Sequence, residues 1–179
     1  LWHTLSLHDA LPISAKFRRR KICTNLNDGD IYLDAYNVFF TMANYLRGRP
    51  VYLADDGLLR DSGELHGRFS DKKVLDRVIH LVLDWIQKYH SCFYIFILDR
   101  PVSNSGKLAA FLNKELSRGI IQGIAETHFS PDNYLIKNAK NIACTGDSVI
   151  VDKIQATVFD LSRHVLEDNF QAEFDRIRI

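Results

Sequence analysis

The chain has 179 residues, a formal net charge of +1, 46% hydrophobic residues and 25% charged ones. That suffices for one domain with a real core, falls short of two ordinary ones, and excludes a disordered or fibrous chain. With a charge so near zero, a nucleic-acid partner requires cations gathered on one face.

No apolar run reaches the roughly 20 residues of a membrane helix. The best candidate, around Val78 to Ile86, is broken by Asp84, and nothing reads as a secretion signal. Cys23, Cys92 and Cys144 show no CxxC spacing. Cys92 and Cys144 fall in predicted buried strands, so the expectation is reduced, packed thiols in a cytoplasmic protein.

In chain order, residues 1–14 stand apart. The run His3-Thr4-Leu5-Ser6-Leu7-His8-Asp9-Ala10-Leu11-Pro12-Ile13 resembles the conceptual translation of a sequencing-library adapter, and no Met precedes it. It is set aside as an assembly artefact on a fragmentary reading frame. Residues 15–29 hold the basic run Arg18-Arg19-Arg20-Lys21 and a polar loop. They read as the solvated remnant of a truncated N-terminal region, with a phosphate-binding arm as the alternative.

From Asp30 onward, residues 30–179 alternate strand and helix, the pattern of a parallel α/β architecture. Ile31-Tyr32-Leu33-Asp34 is a short buried strand ending on a carboxylate, and Val38, Phe39, Phe40, Met42, Ala43 and Leu46 give a helix stopped by Gly48 and Pro50. Val51–Ala54 is a second short strand. The polar segment Asp55 to Phe69 has the length and ionisable content of a functional loop. Ser70 is placed to cap the next helix, whose apolar residues from Val74 to Ile86 repeat at helical spacing and belong to the core. The run 93–98, apolar on both faces, predicts a central strand ending on Asp99. A helix from Asn104 or Ser105 to Gly119, a strand from Ile120 to His128, and a helix from Pro131 to Lys140 follow. A further strand, Asn141 to Thr145, leads through Gly146 to Asp147. Ser148 to Ile154 begins helically, and 159–170 closes the chain as a helix.

Asp34, Asp99 and Asp147 each close a predicted strand, where ligands sit in an open parallel sheet. Taken singly, such an aspartate is ordinarily a turn former or a cap. Three at matching positions point to one acidic cluster, whose mutual repulsion a divalent cation would relieve. Carboxylate ligands suit Mg²⁺ or Mn²⁺, and such a site activates water against a phosphodiester. Asp152, beyond Asp147, and Asp56 on the long loop are candidates to complete the ligand set.

Substrate contacts are expected from Asn37, in the first turn after Asp34, and from Thr145. Arg60, His66, Arg68 and Arg100 flank the same edge, and Ser103 and Ser105 open a helix whose N–H groups suit an anion. Each cation alone is more often a solvated surface charge. No GxxxxGK[ST], GxGxxG or GxSxG occurs, and Tyr36 stands where a phosphatase of the haloacid dehalogenase type carries its second aspartate.

The blocks Asp34-Ala35-Tyr36-Asn37, Leu46-Arg47-Gly48-Arg49-Pro50-Val51, Asp55-Asp56-Gly57-Leu58-Leu59-Arg60-Asp61, His66-Gly67-Arg68-Phe69, Leu98-Asp99-Arg100-Pro101-Val102-Ser103-Asn104-Ser105-Gly106 and Thr145-Gly146-Asp147-Ser148 together resemble a prokaryotic family of unknown function placed among PIN-like domains. The resemblance spans about Asp30 to Glu167. It implies a three-layer α/β/α fold with a mainly parallel sheet, and metal-dependent cleavage of RNA or DNA. Asp34 is similar to the first-strand PIN aspartate, and Thr145-Gly146-Asp147 to the PIN Thr-x-Asp. Asp99 is similar to the strand-end aspartate of structure-specific 5′-nucleases. The helix-borne second PIN acid has no counterpart; only Asp55, Asp56, Asp61 and Glu64 on the loop are available.

The expected activity is therefore Mg²⁺- or Mn²⁺-dependent phosphodiester hydrolysis, with Asp34, Asp99 and Asp147 as ligands. The alternatives are a non-catalytic RNA-binding module, a protein-interaction module, and a metal-dependent phosphatase of small molecules. A homodimer is compatible with all of them.

Overall fold

The computed structural model of the chain describes residues 14–61 and 71–177. Six strands share one sheet: β1 (Ile22–Cys23), β2 (Gly29–Asp34), β5 (Cys92–Asp99), β6 (Gln122–His128), β7 (Ile142–Cys144) and β8 (Thr157–Phe159). Their order is β1-β8-β7-β2-β5-β6, and every pairing is parallel. β3 (Val51–Leu53) and β4 (Leu59–Asp61) make a separate antiparallel hairpin. The helices are α1 (Ala35–Leu46), α2 (Lys72–Ile86), α3 (Ser105–Leu116), α4 (Pro131–Asn138), α5 (Ser148–Lys153) and α6 (Leu161–Phe170).

Two apolar layers explain this arrangement. Ile31 and Leu33 of β2 and Tyr94, Phe96 and Leu98 of β5 face one core, shared with α1, α2, α3 and α6. The intervening residues Ile95 and Ile97 face a smaller core under α4 and α5, against which Tyr32 packs. The fold is thus three-layered α/β/α, with its central strands apolar on both sides as burial on both faces demands. Phe39, Phe96 and Phe159 are fully buried; truncating one to Ala costs about 3–5 kcal/mol.

Close approaches and edges are managed locally. A Cβ at Gly123 would collide with the Tyr94 carbonyl oxygen, so β6 can lie this near β5 only with glycine there. The outer edge of β6 is blocked by Asn113 of α3. Its amide donates to the Ala125 carbonyl (2.9 Å) and accepts from the Ala125 N–H (2.7 Å), which removes a template for strand addition.

The chain runs from β2 outward to β5 and β6, then returns to β7 on the other side of β2 and continues to β8. The reversal makes the β2/β7 crevice a topological switch point, the place where open sheets bind ligands.

Several local expectations are corrected. Residues 14–19 are helical and, with β1, belong to the packed structure rather than to a solvated tail. Val51–Leu53 joins a hairpin, not the parallel sheet, and Leu59–Asp61 is strand rather than loop. Residues 175–177 run beside β3, with Leu53 N–H donating to the Asp175 carbonyl at 2.9 Å. Thr157–Phe159 is a strand, so the closing helix starts only at Leu161. Asp71 caps α2, accepting from Lys73 N–H at 3.0 Å and Val74 N–H at 3.3 Å; Ser70, expected in that role, lies outside the described residues. Cys92 and Cys144 are buried free thiols, as the strand pattern predicts. No described helix is long and apolar enough to cross a membrane.

Candidate functional site

β2 ends at Asp34 because Ala35 begins a helix at once, and the partly buried carboxylate stays in the crevice. Across the switch point, β7 ends at Cys144 and the next three residues build the opposite wall. The Thr145 hydroxyl donates to Asp34 Oδ2 at 2.9 Å, and Thr145 Oγ1 in turn accepts from Asp147 N–H at 3.1 Å. Asn37, one turn into α1, accepts from Gly146 N–H at 2.6 Å. Asp147 then caps α5 through Oδ1, accepting from Val149 N–H at 2.7 Å and Ile150 N–H at 3.3 Å. Thr145 and Asn37, expected to touch substrate, therefore act first as braces that fix the two strand ends to each other.

The hairpin closes over this loop. A Cβ on Gly146 would stand 2.9 Å from the Leu59 carbonyl oxygen and 3.4 Å from Asn37 Oδ1, so the junction tolerates only glycine without movement. Arg60 of β4 donates from Nε to the Gly146 carbonyl at 2.8 Å and grips Asp56 with its two terminal nitrogens at 3.1 and 2.5 Å.

The electrostatics of the crevice are predominantly acidic. Burial pushes the Asp34 carboxyl up to about 7; the Thr145 hydroxyl opposes this, and the charges of Asp132 and Asp147 add to it. Asp99 is raised by desolvation and then by Asp132. Asp132, in the first turn of α4, is raised by desolvation and then by Asp147, with its own backbone N–H and the Lys153 charge opposing. Four carboxylates thus lie at one edge, Asp132 acting on Asp34 and Asp99, and Asp147 on Asp34 and Asp132. None of the four makes an ion pair with a described residue.

Asp132 is absent from the sequence-based ligand set. It obeys the same rule as the others, an acid in the first turn after a strand, and the Pro131 helix start was the signal for it.

Asp56 and Asp152, expected as further metal ligands, are committed elsewhere. Asp56 is 1% exposed and bound by Arg60, with Arg18 at 3.6 Å. Asp152 takes both arms of Arg18, at 2.6 and 2.7 Å, which holds its carboxyl below the usual carboxylate range. Lys21 finishes this corner by donating to the carbonyls of Val151 (2.7 Å) and Ile154 (2.8 Å) at the end of α5. Ser105 is buried, its hydroxyl donating to the Arg100 carbonyl at 3.1 Å. Ser103 is exposed at the start of α3, where Asn104, at φ +65°, provides no side-chain cap. Arg100 is exposed beside Asp99. His66 and Arg68 lie outside the described residues.

The donor set can be tested against a divalent ion. Among the described residues no three His, Cys, Asp or Glu side chains are arranged to hold one metal. Mg²⁺ does not ask for that: it keeps several waters and is bound by one or two carboxylates together with substrate phosphates. Asp34, whose carboxylate Thr145 ties to the Asp147 backbone N–H, and Asp147 itself, both without an ion pair to a described residue, suit this smaller demand.

Residues 23–164 match the model of a family described as "Domain of unknown function (DUF5616)". The chain belongs to this family. It is also similar to "Uncharacterized protein MJ0935" of Methanocaldococcus jannaschii, at 29% identity over 144 residues, covering 80% of this chain and 68% of the relative. No solved structure matches the chain. The family match takes in every member of the acidic edge, from Asp34 to Asp147, together with Arg60 and Asp56.

Proposed function

We propose that this protein is a Mg²⁺- or Mn²⁺-dependent nuclease of the PIN-like kind, hydrolysing phosphodiester bonds of RNA or DNA. The observation that carries the reading is the set of four carboxylates, Asp34, Asp99, Asp132 and Asp147, at one sheet edge with no ion-pair partner among the described residues. Asp34 and Asp147 would hold the ion, with Asp99 and Asp132 beside them. A bound divalent ion supplies polarisation of a phosphoryl oxygen and a more acidic water.

The chain's own residues do the positioning. Thr145 keeps the Asp34 carboxylate turned into the crevice, and Asn37 and Arg60 fix the Gly146 backbone from two sides. The similarity of Asp34 and of Thr145-Gly146-Asp147 to PIN motifs supports the same assignment. It does so by analogy of fold, which is weaker than analogy of site.

The test is calorimetric titration of Mn²⁺ and Mg²⁺ into the protein and into an Asp34→Asn/Asp147→Asn double variant. Saturable binding lost in the variant, accompanied by cleavage of a labelled RNA or DNA strand, is the expected result. Absence of binding at millimolar metal would overturn the reading. A second reading, a PIN-like module that grips nucleic acid without cutting it, draws on the absence of three converging ligands among the described residues. It predicts strand binding that is indifferent to both metal and the double substitution.

A further inference from the structure

We infer that Phe129 and Arg100 form a stacking platform that holds an unpaired base of the substrate beside the acidic edge. This deepens the nuclease proposal and rests on it for the identity of the substrate.

Phe129 is 74% exposed, the most exposed large hydrophobic side chain among the described residues. Arg100, also exposed, places its guanidinium carbon 4.5 Å from the ring centroid. The pair sits on a rigid base. Arg100 N–H donates to the His128 carbonyl at 2.8 Å, the Arg100 carbonyl accepts from Ser105, and the His128 ring lies 3.8 Å from that of Tyr134. An aromatic ring is thus held out into solvent by its surroundings.

Its place in the fold gives it meaning. Asp99 and His128 are register partners on β5 and β6, so Phe129 projects one residue beyond the sheet end, next to Asp99 and three residues before Asp132. From β2 to β6 is two strand spacings, roughly 10 Å, a distance that a short run of single strand covers. Phosphate binding alone does not explain an exposed ring. A protein partner would want a wider apolar patch, whereas the neighbours Pro101, Ser103, Asn104 and Ser130 are exposed and mostly polar. An aromatic face joined to a cation without an ion-pair partner among the described residues fits a nucleotide, with the base stacked and the adjoining phosphate met by Arg100.

The experiment uses the full chain with Mn²⁺ and short single strands, in ribo and deoxyribo form, each made with 2-aminopurine in place of one base and also as a wholly abasic oligomer. The native protein should quench 2-aminopurine fluorescence and favour the base-bearing strand by about 10-fold or more in KM. Phe129→Ala should lose both the quenching and the preference, and Phe129→Trp should keep them. If Phe129→Ala retains quenching and preference while native protein still cuts, the platform is wrong and the nuclease reading stands. If native protein cuts neither strand, the nuclease reading fails, and fluorescence still decides the platform. Quenching lost in Phe129→Ala keeps it; quenching absent in the native protein or unchanged in the variant overturns it. A Phe129→Ala change that dissolves self-association in the ultracentrifuge while sparing strand binding would give the ring to a protein contact, and would also overturn it.

Discussion

Two groups of acids lie near the carboxyl ends of the strands, and they are treated in opposite ways. On the hairpin side Asp56 and Asp152 are matched to arginines: Asp56 to Arg60 and Arg18, Asp152 to Arg18. Around the β2, β5 and β7 ends Asp34, Asp99, Asp132 and Asp147 make no ion pair with a described residue, and Lys153 acts on one of them, Asp132, from a distance. The first group holds the hairpin and residues 14–19 to the sheet. The second costs stability, which a structural role would have no reason to retain. Local charge accounting separates scaffold from site more cleanly than acid content does.

The largest effect should come from breaking the matched side. Asp56 is almost wholly inaccessible, and its removal leaves two arginines, 18% and 21% exposed, without their shared partner. Asp56→Ala should therefore cost about 3–5 kcal/mol, the usual penalty for an orphaned half of a buried pair, read from urea denaturation. Asp34→Asn should do the reverse. At pH 8 it removes a charge that burial disfavours, so stability should hold or rise by about 1 kcal/mol, while the Mn²⁺ binding proposed above should be lost. If both substitutions destabilise alike, the division between the two groups is false.

Asp160 lies between the extremes and sharpens them. It is buried, yet its partners are backbone groups: Leu59 N–H donates at 2.7 Å and Arg163 N–H at 3.1 Å. Around it stand His164, whose Nδ1 meets the Asp160 carbonyl at 2.8 Å, and Arg163, itself paired with Glu167. Burial nevertheless dominates and lifts the Asp160 carboxyl from 3.8 to about 6. Because the folded value is the higher one, this contribution to stability is full below about pH 4 and disappears as pH rises through 6. The amplitude is on the order of 3 kcal/mol. Denaturation midpoints from pH 4 to 7 should show that loss in the native protein and a flatter profile in Asp160→Asn. Equal slopes would mean that the two backbone donors already offset the burial.

How much of this was legible in the sequence depended on distance along the chain. Strand-end Asp34, Asp99 and Asp147 were readable because the strands before them are apolar runs that stop at a carboxylate. The parallel α/β class followed from the same alternation. β1 and β8 escaped notice because two or three residues carry no periodicity, and their pairing joins Ile22 to Val158. The hairpin was hidden by composition. Asp55-Asp56-Gly57 reads as loop, and it is indeed the turn, with Gly57 at φ +89°, but the residues beyond it return as β4. Asp56 and Asp152 looked like ligands for want of their partners. An Arg18–Asp152 pair spanning 134 positions has no local signature.

That pair supplies the smallest test. Arg18 is 18% exposed and Asp152 39%, so solvent screens much of the attraction even with both guanidinium contacts made. Arg18→Ala should cost only about 1 kcal/mol, more than an ordinary surface pair because Asp56 also loses a neighbour. The informative readout is where the loss appears. Hydrogen exchange should accelerate at residues 14–23 and at the α5 amides, whose terminal carbonyls Lys21 covers, and stay unchanged at Asp34 and Thr145. Acceleration that reached the crevice would mean that the matched acids do more than anchor a corner, and that the unmatched ones depend on them for their position.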